Sequence, residues 1–282
     1  MLPNLLQATI ESGIDARIVA VKPIQGGDIN ISARIQTESG DFYFLKWNQR
    51  TPKKMFETEA MGLQLLASAK SGLIVPHVFL VGDDFLLLEY LEEHNFGNSY
   101  VFGSQLAKLH KKSNELFGLD HANYIGRLPQ SNKYHPDWLE FFVRERIEPQ
   151  VKMAIDAGKL DAHFHQIFDR VMNYTYVMFP EEPPALLHGD LWAGNYMFTA
   201  KGETAIYDPA VYFGHREMDI AMSMLFGGFD KEFYHGYTDF YPLEKGFEER
   251  QKLCQLYPIL VHANLFGGQY ISQATQLLRQ FF

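Results

Sequence analysis

The segment Leu187-His188-Gly189-Asp190-Leu191-Trp192-Ala193-Gly194-Asn195, with Asp208 thirteen positions beyond it, restricts the possible folds more than any other part of this chain. Asp190 and Asn195 stand five apart in a Gly-bearing loop, and the short apolar strand Ala205-Ile206-Tyr207 carries the chain up to Asp208. The residue types suit phosphoryl transfer. An acceptor hydroxyl needs a carboxylate to orient it and take its proton, and the spacing gives that role to Asp190. Phosphates need a hard cation, Mg²⁺, held by oxygen donors, and the spacing gives that role to Asn195 and Asp208. A lone His-x-Asp is usually a loop Asp capping a helix. The full set, with the strand and the second Asp, is much rarer.

This is the spacing of a kinase catalytic loop with its metal-binding Asp. At 282 residues the chain is long enough for two lobes. Its 46% hydrophobic and 21% charged content fits an ordinary globular protein and excludes a disordered one. A net charge of -9 argues against nucleic acid or an anionic membrane as partner. Cys254 is the sole cysteine, so no intrachain disulfide forms, in keeping with a reducing cytoplasm. No basic, apolar leader opens the chain and no run approaches membrane-spanning length, so a cytoplasmic location is expected.

The first third reads as strands at Ile18–Ile24, Ile29–Gln36 and Asp41–Trp47, with Gly26-Gly27 turning between the first two. A Gly-rich hairpin lets backbone N–H groups approach phosphates, so Gly26 and Gly27 are candidates for nucleotide contact, although a Gly pair is often only a turn. Lys46 ends the third strand among apolar neighbours. Such a lysine either snorkels to solvent or, in a kinase fold, reaches the α- and β-phosphates. It then needs a carboxylate to hold it. A helix is predicted over 53–69, where Phe56, Glu59, Leu63 and Leu66 share one face. Glu59 on an apolar face is costly without a partner, which makes it the expected mate of Lys46. Glu57 lies about 160° around the helix and is the weaker candidate. Strands near Val78–Leu80 and Phe85–Glu89 follow. The turn after them, with Glu89 and Leu91, is where a hinge would fall and where adenine would meet backbone. The division expected is therefore 1–91, nucleotide-binding, and 92–282, with the catalytic loop and acceptor site.

Beyond the hinge, helical patterns cover about 103–112, 135–158 and 160–178. Trp138, Phe141, Phe142 and Ile147 read as core, His110 as a structural contact, and His163 and His165 as solvated, since two positions apart they cannot share a helix face. Pro183-Pro184 ends the helical region. Asp219 opens a helix with Ile220, Met222 and Leu225 and reads as an N-cap; in kinase folds an Asp here also supports the catalytic-loop backbone. The span from Asp208 to Asp219 is too short for an activation loop, and no Ala-Pro-Glu motif follows.

A family is visible in the run His188-Gly189-Asp190-Leu191-Trp192-Ala193-Gly194-Asn195, then Asp208-Pro209-Ala210-Val211-Tyr212-Phe213-Gly214-His215-Arg216-Glu217-Met218-Asp219, then Leu225-Phe226-Gly227-Gly228. Asn123-Tyr124-Ile125-Gly126, Asp137-Trp138-Leu139-Glu140-Phe141-Phe142 and Asn264-Leu265-Phe266-Gly267-Gly268 extend it over nearly the whole chain. The chain resembles the fructosamine kinases, also called ketosamine 3-kinases, in the protein-kinase-like superfamily. The Trp after His-Gly-Asp-Leu and the Asp-Pro-Ala-Val-x-x-Gly-His-Arg-Glu run set it apart from aminoglycoside and choline kinases. One departure is Asp28, where relatives often carry Cys, so redox control through that loop is in doubt.

The resemblance implies an α+β, two-lobed protein-kinase-like fold, with a small antiparallel-sheet N-lobe bearing one main helix and a larger, mostly helical C-lobe. It implies ATP and Mg²⁺, and phosphorylation of the 3-hydroxyl of free or protein-bound ketosamines, after which the unstable 3-phosphate frees the amine. His188 and Asp219 become supports of the loop, and Trp192 an acceptor-site or packing residue. The alternatives are a kinase for another hydroxylated amine such as an aminoglycoside, and a silent nucleotide-binding module. Retention of Lys46, Asp190, Asn195 and Asp208 together argues against the last.

Overall fold

The structure, a computed structural model, describes residues 2–24, 30–167 and 178–281. It begins with a helix absent from the sequence reading, α1 (Asn4–Ile14), preceded by Pro3 and ended by Asp15 in the left-handed region at φ +50°. Next come strands β1 (Ile18–Ile24), β2 (Ile31–Thr37) and β3 (Phe42–Trp47), helix α2 (Met55–Ser68), and strands β4 (Val78–Val81) and β5 (Phe85–Glu89). The strands form one antiparallel sheet in the order β1-β2-β3-β5-β4. The sequence places β2 from Ile29, but it begins at Ile31. The Gly26-Gly27 turn and Asp28 lie outside the described residues.

The inner strand β5 shows why two helices are needed where one was expected. Phe85, Leu86, Leu87 and Leu88 are all buried, as in a strand covered on both faces. Phe85 and Leu87 pack with Leu6 and Ile10 of α1 and with Ile35 and Leu45. Leu86 and Leu88 pack with Phe56, Ala60 and Leu63 of α2. The two-residue period of the strand thus sends alternate side chains to different helices.

Beyond β5 the chain forms β6 (Glu93–His94), α3 (Ser99–His110), the hairpin β7 (Asn123–Ile125) and β8 (Leu128–Gln130), and α4 (Trp138–Phe141). Helix α3 starts four residues ahead of its predicted position, at an Asn98 cap whose side chain accepts from Val101 N at 3.0 Å. The segment predicted as one helix over 135–158 starts at Trp138 under an Asp137 cap, widens to a π-helix over Phe142–Ile147, and resumes as α5 (Glu148–Asp156). Pro149 supplies the reason: without an N–H it cannot continue the α-helical ladder, and the widened turn absorbs the defect. Of the helix predicted over 160–178, residues Ala162–Ile167 form a 3₁₀-helix and 168–177 lie outside the described residues.

The remaining elements are β9 (Ala185–Leu187), β10 (Tyr196–Thr199), β11 (Thr204–Ile206), β12 (Tyr212–Gly214), α6 (Glu217–Ser223), α7 (Lys231–Phe240), α8 (Phe247–Phe266) and α9 (Gln269–Phe281). Strand β10 pairs with β11 and β6, and β12 with β9. The expected aromatic core is present: Trp138, Phe141 and Phe142 pack with Leu253, Leu256 and Leu260 of α8. No helix among the described residues is long and apolar enough to cross a membrane. A cleft of about 980 Å³ opens where the five-stranded sheet meets the helical part.

Candidate active site

Strand β9 delivers the chain into the loop 188–195, and α6 holds that loop from behind. Gly189 sits at φ +83°, and a Cβ there would fall 2.0 Å from the Ala210 carbonyl oxygen, so only glycine fits. The N–H groups of His188 and Gly189 donate to the Asp219 carboxylate at 2.7 and 2.9 Å. Asp219 is the third residue of α6, with Arg216 at the cap position, so the N-cap reading is corrected. Its carboxylate faces the loop backbone and not its own helix end. His110 also bonds it at 3.2 Å through Nε2 and meets the Tyr237 hydroxyl at 2.8 Å through Nδ1. Burial alone would raise the Asp219 pKa, but His110, His188 and the Gly189 N–H outweigh it and hold it below the usual carboxylate value.

His188 is fully buried and its pKa is lowered by that burial. Its partners fix the neutral tautomer. Nε2–H donates to the Tyr207 carbonyl at 2.9 Å, and Nδ1 accepts from the Asp190 N–H at 3.3 Å. One ring therefore ties the loop to the strand that leads into Asp208. Asn195 closes the loop: its Nδ2 donates to the Asp190 carbonyl at 2.8 Å and to Asp190 Oδ2 at 3.1 Å. Burial, then the charge of Asp208, pushes the Asp190 carboxyl up to about 7, although the Asn195 bond opposes this.

From the sheet, Lys46 reaches into the same cleft. Its ammonium bonds Glu59 Oε1 at 2.8 Å and also Asp208 Oδ1. Glu59, not Glu57, is therefore the partner. Burial works against the lysine cation, but Asp208 and Glu59 more than offset it and raise its pKa above the ordinary value. Glu59 is itself pushed upward by burial, against the pull of Lys46. With a charged ammonium in direct contact, the ion pair is the form that satisfies both groups. Asp208 adopts the left-handed region at φ +57°, a strained backbone for a non-Gly residue, with its side chain 41% exposed to the cleft.

The donor set suits Mg²⁺. Asn195 has its amide nitrogen engaged by Asp190, which leaves the amide oxygen for a cation, and Asp208 offers an exposed carboxylate in the same cleft. No cluster of three or more His, Cys, Asp or Glu able to hold a metal occurs among the described residues. Two oxygen ligands are enough for an ion that keeps its other positions for water and phosphate.

Glu89 and Leu91 line the cleft at the end of β5, where the Glu89 carboxylate accepts from the His77 N–H at 3.2 Å. The candidate phosphate residues Gly26 and Gly27 lie outside the described residues. Trp192 stands at the cleft mouth, 36% exposed, with its ring over Gly194, where a Cβ would come within 2.4 Å of it. It thus packs on the loop and faces the cleft at once. His163 is exposed and pairs with Asp161. The residues missed by the sequence reading line the far side of the cleft: Phe226, His262, Phe266 and Tyr270. Their only signal was the repeated Phe-Gly-Gly, at 226–228 and 266–268. Two buried bidentate ion pairs behind α6, Arg216 to Glu182 and Arg250 to Glu217, were also unforeseen.

A family model for fructosamine kinase matches residues 4–282. A probable ketoamine kinase of Enterococcus faecium is 39% identical over 93% of this chain and 95% of its own. A chloroplastic protein-ribulosamine 3-kinase of Arabidopsis thaliana is 34% identical over 96% of this chain and 85% of its own. The crystal structure of a putative fructosamine-3-kinase from Thermobifida fusca superposes with a TM-score of 0.89 at 31% identity, covering 99% of both chains. The fold is accordingly the two-lobed, protein-kinase-like α+β one, and the chain belongs to the fructosamine kinase family.

Proposed function

We propose that this protein transfers the γ-phosphoryl group of ATP to the 3-hydroxyl of a ketosamine, a fructosamine or ribulosamine, free or protein-bound. The observation that carries the reading is the convergence of Lys46, Glu59, Asp190, Asn195 and Asp208 on one cleft. Asp190 orients the acceptor hydroxyl and takes its proton at a carboxylate oxygen. A pKa near 7 matches a base that works near neutral pH. Lys46, steadied by Glu59, neutralises phosphate charge. Asn195 and Asp208 would hold Mg²⁺, which when bound supplies the positive charge that draws phosphate oxygens together. His188 and Asp219 hold the loop in register and touch no reactant.

Adenine would meet the backbone near Glu89 and Leu91, and Gly26 and Gly27 would approach the phosphates. We place the lobe boundary near Leu91; in support, β5 ends the first sheet at Glu89 while β6, from Glu93, already pairs with β10. The 3-phosphate is unstable: elimination of phosphate leaves the nitrogen on C1 as an imine, and hydrolysis of that imine by water then frees the amine, which amounts to deglycation. A cytoplasmic location is in keeping with one buried cysteine, Cys254, whose thiol pKa burial raises well above the ordinary value.

The test measures ATP consumption against C5 and C6 ketosamines and an aminoglycoside, with ³¹P NMR of the product. Transfer to O3 of a ketosamine is expected. Phosphate on another hydroxyl, or transfer to the aminoglycoside alone, would remove the ketosamine assignment and leave the kinase fold.

A further inference from the structure

The far wall of the cleft is built of rings. Trp192 comes from the 188–195 loop, Phe226 from the turn after α6, His262 and Phe266 from the end of α8, and Tyr270 from the start of α9. Phe226 is the hub, with ring centroids 4.6 Å from His262, 6.2 Å from Trp192 and 6.2 Å from Tyr270. His262 in turn lies 5.5 Å from Phe266 and 5.1 Å from Tyr270. These rings are not a closed core: Trp192, Phe226 and Phe266 are 36%, 38% and 51% exposed. A contiguous exposed aromatic surface in a concave site is a binding feature more often than an accident of packing.

Backbone strain points the same way. Phe226 sits at φ +55°, the left-handed region that costs a bulky residue about 1–2 kcal/mol, while its neighbours Gly227 and Gly228 take positive φ without penalty. A glycine at 226 would relieve the strain and lose only the ring. Strain of this kind persists where a side chain must be held in place.

The wall is continuous with the candidate base. A small hollow lined by Asp190 is also lined by Tyr257, Pro258, Val261 and His262 of α8. An acceptor whose 3-hydroxyl meets Asp190 carries its amine on C1, two carbons away, so the group on that amine leaves the sugar within reach of the rings. Among the described residues no acidic side chain contributes to the shelf; the other carboxylates of the cleft, Glu59, Glu89, Glu93 and Asp208, come from α2, the β5–β6 region and the segment before Pro209. A cationic extension finds no carboxylate there, whereas a flat or branched apolar one finds ring faces.

Resting on the ketosamine reading, we infer that Trp192, Phe226, His262, Phe266 and Tyr270 form the subsite for the amine-side group of the acceptor, and that it selects small ketosamines carrying an aromatic or branched aliphatic group. The test uses the full chain and adducts of one sugar with glycine, leucine and phenylalanine, measuring kcat/KM for each. The leucine and phenylalanine adducts should exceed the glycine adduct by about tenfold or more, the discrimination typical of a filled apolar pocket. Phe226→Gly, which suits the backbone, and Phe266→Ala, at an exposed position, should each lower kcat/KM for the phenylalanine adduct several-fold more than for the glycine adduct, at unchanged KM for ATP. Thermal melts show that both variants fold. Turnover of all three adducts at equal kcat/KM, or equal losses across adducts in the variants, would overturn this inference and leave the ketosamine reading intact. No turnover of any adduct by the wild-type protein would overturn that reading and this inference with it.

Discussion

Replacing Asp190 with asparagine should stop the enzyme and stabilise it, and the second effect should depend on pH. In the folded protein burial lifts the Asp190 carboxyl from its ordinary 3.8 to about 7. Below about pH 4 the group is protonated in both folded and unfolded chains and contributes nothing to their difference. Between about 4 and 7 the folded chain binds the proton that the unfolded chain has lost, so stability falls as pH rises. Above 7 the carboxylate is ionised in both states and its full desolvation cost is present. The interval from 3.8 to about 7, at 1.36 kcal/mol per pKa unit, sets a ceiling of about 4 kcal/mol. Asp190→Asn keeps volume, and its amide oxygen still accepts from Asn195 Nδ2. At roughly 2–4 °C per kcal/mol for a chain of this size, the variant should melt several degrees above wild type at pH 8 and level with it near pH 4. Calorimetric melts across that range measure this, with initial rates alongside. Turnover should fall by several orders of magnitude, with ATP affinity nearly unchanged. An Asp190→Asn protein that melts at or below the wild-type temperature at pH 8, or keeps a tenth of wild-type turnover, would refute the reasoning.

Asp208→Ala should abolish turnover and raise the Mg²⁺ concentration needed for any residual rate; normal Mg²⁺ dependence in a titration would remove Asp208 as a ligand. Asp219→Ala leaves the His188 and Gly189 N–H groups and His110 without their acceptor. At about 1–3 kcal/mol for each buried group left unsatisfied, urea denaturation should show a loss of several kcal/mol, and a loss under 1 kcal/mol would contradict the support role. Gly62→Leu should raise KM for ATP and lower kcat, because even a Cβ at Gly62 lies 3.1 Å from Val211 Cγ2 and a larger side chain drives α2, with Glu59, away from Lys46. Val211→Ala in the same chain should restore part of the loss, and wild-type kinetics in Gly62→Leu alone would count against the coupling.

What could be read from sequence was local. Lys46, Glu59, Asp190, Asn195 and Asp208 were legible because each combines an expensive residue type with a position that makes sense only beside a partner: a lysine on an apolar strand, a glutamate on the apolar face of a helix, carboxylates at fixed spacing from an Asn. The β1, β3 and β5 strands were legible from β-branched and aromatic runs closed by turn residues. Helix α1 was not, since Leu6 and Ile10 alone mark its buried face and their packing depends on residues of β2, β3 and β5 far along the chain. The π-turn over Phe142–Ile147 was masked by good helical periodicity on either side of Pro149. Asp219 was read both as a cap and as a support of the loop, because the two roles use the same residue type; only tertiary contact, the His188 and Gly189 N–H bonds, distinguishes an aspartate bonded to its own helix from one bonded to the chain in front of it. The ring wall was illegible for a related reason. Phe226 is separated from His262 and Phe266 by all of α7 and most of α8, and nothing in that spacing says that the two Phe-Gly-Gly turns meet.

The short connection after Asp208 has a consequence for how the site is kept assembled. A kinase with a long activation segment can release its helix glutamate from its lysine. Here α2 lies directly on the segment that follows Asp208, with Gly62, three residues on from Glu59, against Pro209 and Val211. The hairpin β7–β8 closes the arrangement from the other side. Asn123 Nδ2 donates to the Val211 carbonyl at 2.8 Å and Gln130 Nε2 to the Ala210 carbonyl at 3.1 Å. Tyr124, between them, donates its hydroxyl to the Lys53 carbonyl at 3.0 Å, just ahead of α2. Helix, hairpin and the Asp208–Val211 segment therefore brace one another, and separating Glu59 from Lys46 would require breaking buried hydrogen bonds and packing together. The Lys46–Glu59 pair is thus built into the fold and is held closed without a long activation segment.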